Sequence, residues 1–196
     1  MPRINEHFYW NVTPTKYWYK PANIVLLIGS LIMSATSLAK PIIIDTADRW
    51  NLINDSVMGG ISTSSLTNDG DISTFSGDLS LERNGGFAST RASLTSSLAS
   101  DTAHIKITVK GDGREYQLRL RTDDKWDAIA YSYPFKTEKG QWLTFSVSAK
   151  EFVAVFRGRA VNAPSLSLGN IKQIGFLLAD KQPGAFSLSF QPIEVE

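Results

Sequence analysis

The chain of 196 residues has no cysteine, so it holds no disulfide framework, no thiolate metal site and no cysteine nucleophile. Histidine is almost as scarce: His7 and His104 are the only two. A surplus of one charge is missing too. Twenty Lys and Arg face 19 Asp and Glu for a net charge of +1, which leaves no basic excess for a nucleic-acid backbone and no acidic tail. No stretch combines a sustained helical period with caps at both ends, and Ser93 to Ser100 has room for a short turn at most. The G-x-S-x-G elbow, H-E-x-x-H, the Walker loop and G-x-G-x-x-G in a βαβ setting are all absent. Asp123, Asp124 and Asp127 lack the spacing of an EF-hand and read as an acidic surface turn. A scattered pair of carboxylates for glycoside hydrolysis is left open by spacing, and a triad with a single histidine is outweighed by the place of His104 at the start of an alternating strand. The expectation is a binding protein without catalytic residues, metal or cofactor.

Residues 1–39 read differently from the rest. Arg3, Lys16 and Lys20 precede the apolar run Ile24 to Met33, and the small stretch Ser34-Ala-Thr-Ser-Leu-Ala39 follows. Basic, apolar, small is the layout of a secretory signal peptide, with Ser37 and Ala39 placed for a cut before Lys40. The competing reading is a retained membrane anchor. Phe8, Tyr9, Trp10, Tyr17, Trp18 and Tyr19 suit an interfacial aromatic belt, but the apolar core is shorter than the roughly 20 residues that span a bilayer. Both readings put residues 40–196 outside the cytoplasm, periplasmic or extracellular if the segment is cut. Membrane contact, if any, comes through residues 1–39. His7 leaves with that segment, and His104 opens an alternating strand, so a two-imidazole site is not available to the body.

Residues 40–196 have the length of one domain and alternate throughout. Ile105, Ile107 and Val109 share one face; so do Tyr116, Leu118 and Leu120, and again Leu143, Phe145 and Val147. Further strands are predicted over Ile42–Asp45, Ile72–Leu81, Phe87–Ala92, Ile129–Phe135, Phe152–Arg157, Ile171–Leu178 and Phe186–Val195. Asn68-Asp-Gly70, Gly111-Asp-Gly113, Lys139-Gly140 and Pro183-Gly184 mark turns between them. Many short antiparallel strands with regular turns predict an all-β fold, a β-sandwich of jelly-roll type.

Two strings stand out: Trp50-Asn-Leu-Ile-Asn-Asp-Ser-Val-Met-Gly-Gly-Ile-Ser62 and Phe75-Ser-Gly-Asp-Leu-Ser-Leu-Glu-Arg-Asn-Gly-Gly-Phe-Ala-Ser89. Each sets Asn or Asp close to a Gly-Gly pair, which describes an ordered loop with positive φ and close backbone approach. Together with Tyr116-Gln-Leu-Arg-Leu-Arg-Thr-Asp123, Tyr131 to Val147, Phe156-Arg-Gly-Arg159 and Ile171 to Phe190, in this order, they resemble the complex I intermediate-associated protein family. The resemblance covers about Asp45 to Val195. It implies a galactose-binding-like jelly-roll domain and, from the mitochondrial members, assistance in assembling the respiratory NADH:ubiquinone oxidoreductase through protein contacts. An exported member would not meet the matrix arm of that complex, so the same domain with a different task is equally in view.

Three groups of candidate residues follow from the pattern. Asn54, Asp55 and Asn84 sit beside Gly59-Gly60 and Gly85-Gly86. There the glycines shape loops, and the polar side chains either brace those loops or face a ligand. Gln117, Arg119 and Arg121 point outward if Tyr116, Leu118 and Leu120 point inward. If the next strands are hairpin neighbours, Tyr131, Tyr133 and Trp142 join them in one Arg-aromatic patch, unless the tyrosines face the core. Arg157 and Arg159 flank Gly158, a bulge that aims guanidinium groups or a charged strand edge. Asp180-Lys181 before Pro183-Gly184 reads as a hairpin turn. The expected function is a non-catalytic, assembly-factor-like domain that contacts a protein partner, with an exported carbohydrate-binding module as the alternative.

Overall fold

The alternation is satisfied by two stacked antiparallel sheets. The computed structural model describes residues 41–42 as backbone, and residues 50–125 and 127–196 in full. They belong to one compact unit, 37–196. The signal or anchor reading of residues 1–39 lies outside the described residues. Among those described, no helix is long and apolar enough to cross a membrane.

The first sheet holds β1 (Pro41–Ile42), β3 (Thr63–Asp69), β4 (Ile72–Leu79), β6 (His104–Lys110), β9 (Trp142–Ser148), β13 (Gly184–Phe190) and β14 (Ile193–Val195). The second holds β2 (Trp50–Asn54), β5 (Ala88–Ser93), β7 (Glu115–Arg121), β8 (Ala130–Lys136), β10 (Val153–Phe156), β11 (Arg159–Ala160) and β12 (Gln173–Leu178). The second sheet runs β11-β10-β8-β7-β12-β5-β2. In the first, β6 pairs β9 on one side and both β13 and β14 on the other. The run Phe186–Val195, expected as one strand, breaks between β13 and β14 at Gln191-Pro192, where proline cannot donate to the ladder. Strand β3 escaped the alternation test because Leu66 is its only apolar residue. It is the outer partner of β4, half-exposed, and joined to it by the two-residue turn Gly70-Asp71.

The core lies between the sheets. Tyr116, Phe135, Phe176, Trp50 and Phe190 form a chain of ring contacts through it, and Phe75 meets Phe186. Such buried aromatic pairs contribute about 0.5–1.5 kcal/mol each beyond area burial. Two of the expected turns are crossings. Gly111-Asp-Gly113 carries the chain from β6 in one sheet to β7 in the other. Pro183-Gly184 carries it from β12 to β13, so the segment after Asp180 is no hairpin. The jelly-roll expectation holds; consecutive strands pair at β3–β4, β7–β8 and β10–β11, but the expected β8–β9 adjacency is absent because those strands lie in different sheets.

Candidate functional site

The outer face of the second sheet is where polar side chains gather. Register sets it: Asn51, Arg91, Gly175, Arg119 and Ser132 lie in one row, and Ser93, Gln173 and Arg121 in the next. Strands stand about 4.8 Å apart, so Arg91 and Arg119 flank Gly175 about 10 Å from each other. Having no side chain, Gly175 lets β5 pass close beside it: a Cβ there would stand 2.2 Å from the Thr90 carbonyl oxygen. Gln117 organises the next row: its Oε1 accepts from Arg119 Nη1 at 3.2 Å and from Ser132 Oγ at 2.8 Å. A cavity of about 430 Å³ opens on the β2 side, lined among others by Asn51, Ile53, Arg91, Ser93, Asp124 and Gln173.

Arg119 and Arg121 share this face with Arg91; the register neighbours of Arg119 and Arg121 are neutral, while Asp124 lines the adjacent cavity and Asp127 acts on Arg121. Burial brings the Arg119 guanidinium down to about 10, and the like charge of Arg91 adds to the effect. Arg121 also falls to about 10, from burial and the charges of Arg91 and Arg119, with Asp127 opposing. Arg91 is lowered by burial. Guanidinium does not give up its proton at neutral pH, so these shifts reflect burial and like charge acting against cations that stay charged. Among the described residues the Nε atoms of Arg119 and Arg121 are buried without a hydrogen-bond partner, as is Oε1 of Gln173.

The aromatic half of the expected patch lies elsewhere. Tyr131 and Tyr133 pair with Leu120 and Leu118, so they share the inner face. The hydroxyl of Tyr131 donates to the Pro164 carbonyl at 2.8 Å, and the Tyr133 ring rests on Phe152. Trp142 sits in β9 of the other sheet opposite Lys110, whose Nζ lies 5.2 Å from the ring. The chain crosses between sheets after β8, so the hairpin adjacency assumed for these strands is absent. Arg91 and Gln173, by contrast, were not singled out from sequence. The alternation of Ala88, Thr90 and Ala92 puts Arg91 on the outer face, but its place beside Arg119 depends on β12 lying between β5 and β7.

The two Gly-Gly loops meet at Asp55, which is fully buried. Its carboxylate accepts from the Ser62 amide at 3.0 Å, the Ser62 hydroxyl at 2.5 Å, and the amides of Gly86 and Phe87 at 2.7 and 3.3 Å. Burial alone would raise this carboxyl; the Ser62 hydroxyl and the three amides outweigh it and hold it below the usual range. A Cβ on Gly60 would stand 2.4 Å from the Asp55 carboxylate, and one on Gly85 2.7 Å from it. Gly59 and Gly86 take positive φ. Asp55 therefore braces both loops and presents nothing to solvent. Asn54 accepts from Ser64 Oγ at 2.8 Å, and Asn84 is exposed with φ of 59°.

Arg157 and Gly158 both have positive φ and close a two-residue hairpin between Phe156 and Arg159, a turn rather than a bulge. Exposed Arg157 pairs with Asp127 at 2.5 Å. Asp180 serves a buried node: Arg114 forks onto it at 2.9 and 2.7 Å and also donates to the carbonyls of Gln182, Gly184 and Ala185. Burial would raise Asp180, but the Arg114 bond and charge bring it below its ordinary value.

The family model described as Complex I intermediate-associated protein 30 (CIA30) matches residues 39–190. No curated relative matches in sequence. Among solved structures, the chain is similar to the family 11 carbohydrate-binding module from Clostridium thermocellum in complex with a β-1,3-1,4-mixed-linked tetrasaccharide. That likeness has 17% identity and a TM-score of 0.58, covering 81% of this chain and 94% of that one. The same module of the cellulosomal cellulase Lic26A-Cel5E matches with TM-score 0.58 at 17% identity, over 80% and 92% of the two chains. An agarase matches with TM-score 0.53 at 9% identity, over 80% of this chain and 24% of its own. At these identities the likeness establishes the sandwich fold.

Proposed function

The chain belongs to the complex I intermediate-associated protein 30 family, and from that premise we propose that it is a non-catalytic binding domain whose outer Arg face docks a protein partner. The observation that carries this reading is the pair of half-buried guanidiniums of Arg119 and Arg121 on the second sheet, with Nε of both and Oε1 of Gln173 buried without a hydrogen-bond partner among the described residues. Desolvated charge that its surroundings only partly offset costs folding free energy and is compensated when a complementary group docks. The family's name points to assembly work, which proceeds through such contacts. Asp55, Asp180 and Glu151 are tied up in a loop brace, an ion pair with Arg114 and a cap on Ser148, so none of these three supplies the protonated acid that glycoside hydrolysis needs. Export is part of the proposal and rests on the layout of residues 1–39; a mass measurement on the mature protein tests the cut before Lys40.

Affinity capture with crosslinking from native extract tests the docking. A defined protein partner should be recovered with the unaltered chain and lost with Arg119→Ala/Arg121→Ala. Recovery of none removes the reading. A carbohydrate-binding module remains the second reading, favoured by the hydrogen-bonding floor of Asn51, Ser93 and Gln173. Calorimetry with mixed-linked glucan oligosaccharides decides it: saturable heat on this face would support it, and its absence would eliminate it.

A further inference from the structure

We infer that the partner presents an acidic peptide segment to this face, its Asp or Glu carboxylates seated on the forks of Arg119 and Arg121 and its backbone meeting Gln173. The inference rests on the protein-docking reading above and specifies the ligand. Charge complementarity is the first argument. Arg119 and Arg121 stand two residues apart on β7, with Arg91 two strands away, and their register neighbours Gly175, Ser132 and Gln173 are neutral. Of the acidic groups nearby, Asp127 is engaged by Arg157 and only partly offsets Arg121, and Asp124 lines the cavity on the β2 side.

Fork geometry is the second. Gln117 holds Nη1 of Arg119, leaving the Nε edge unpartnered among the described residues, and Arg121 offers the same edge. Two parallel N–H groups on a planar guanidinium match a carboxylate bidentately. The third argument is the orphan acceptor. Gln173 is 7% exposed, and its Oε1 needs a donor that a carboxylate cannot supply. A peptide supplies both, acid from its side chains and N–H from its backbone.

The surroundings favour peptide over acidic sugar. Val153, 54% exposed, lies in register with Ser132 on this face, and Leu177 and Pro134 flank Gln117. These aliphatic groups suit aliphatic side chains. No aromatic ring for stacking a sugar stands on the outward strand positions among the described residues.

Fluorescence anisotropy on the full chain tests the inference with a labelled peptide of alternating Glu and Val, its Gln-Val counterpart, and oligogalacturonate as competitor. The Glu peptide should bind about tenfold tighter than the Gln peptide or better. R119Q and R121Q should each lose about tenfold in affinity, and R119K should fall between, keeping charge without the fork. Thermal unfolding checks that the variants fold; should one fail, the Glu and Gln comparison on the unaltered chain decides alone. Equal binding of the two peptides overturns the inference, and so does oligogalacturonate binding tighter than the Glu peptide, which hands the face to an acidic polysaccharide. A captured partner that the Arg variants lose, combined with no Glu-peptide binding, removes the acidic assignment and leaves the docking reading intact. Absence of any captured partner removes the docking reading itself.

Discussion

Single residues divide here into those that hold the fold and those that strain it. Asp55 holds it: removing a fully buried carboxylate leaves three amides and a hydroxyl without their acceptor. Asp55→Ala should therefore cost about 3–5 kcal/mol, read from urea unfolding midpoints. A cost below about 1 kcal/mol would mean water reaches that site freely. Arg121 strains the fold: it is half-buried beside the like charges of Arg91 and Arg119, only partly offset by Asp127, and its Nε donates no hydrogen bond among the described residues. Arg121→Met should raise stability by about 1 kcal/mol, at the low end because the face is partly solvated. That corresponds to a melting temperature about 2–4 °C higher in a protein of this size. A lowered melting temperature would contradict the picture of uncompensated charge. Asp55 was legible as a loop residue from its place beside Gly59-Gly60. Its burial was not, because both Gly-Gly loops must be brought together before the pocket for its carboxylate exists.

Elements decide which side chains share a surface. Period-two patterns located most strands, though not β2, β3 or β11, and correctly separated Arg119 and Arg121 from the apolar face of β7. They could not supply the partner of each strand. The Arg-aromatic patch required β8 and β9 to be neighbours, yet β8 pairs β7 and β10 while β9 pairs β6 in the other sheet. Trp142→Ala should accordingly leave ligand binding on the Arg face unchanged. Loss of its contact with Lys110 should cost about 0.5–1 kcal/mol of stability. Reduced peptide binding in that variant would place β9 beside the Arg face after all. The crossing from β12 to β13 makes a similar point. Asp180 looked like a hairpin residue, and it is the anchor for Arg114, whose side chain gathers three carbonyls of that crossing. Arg114→Ala strands a buried carboxylate and should cost about 3–5 kcal/mol by urea unfolding; a near-neutral result would show the crossing to be held by its backbone alone.

At the scale of the whole molecule the two nodes lie at the same end of the second sheet. Asp55 follows β2, Gly86 precedes β5, Asp180 follows β12 and Arg114 precedes β7, and these strands pair antiparallel in register. The two Gly-Gly strings of the family-like sequence meet at this end, whereas the proposed Arg face draws on β5, β7 and β12, whose adjacency no single string spans. The end is also where acid acts. Both carboxylates titrate below their ordinary value in the folded state. Their stabilisation is therefore complete above the unfolded value, about 3.9, and is lost as pH falls through it toward the folded values. Opening should begin locally rather than throughout the sandwich. As pH drops from about 5 to about 3, the amides of Ser62, Gly86 and Phe87 should lose hydrogen-exchange protection first. The central amides of Leu118 and Phe176 should hold longer. Uniform loss across both groups would mean that the carboxylate clamps are no weaker in acid than the hydrophobic centre, and that the two ends of the sandwich melt as one.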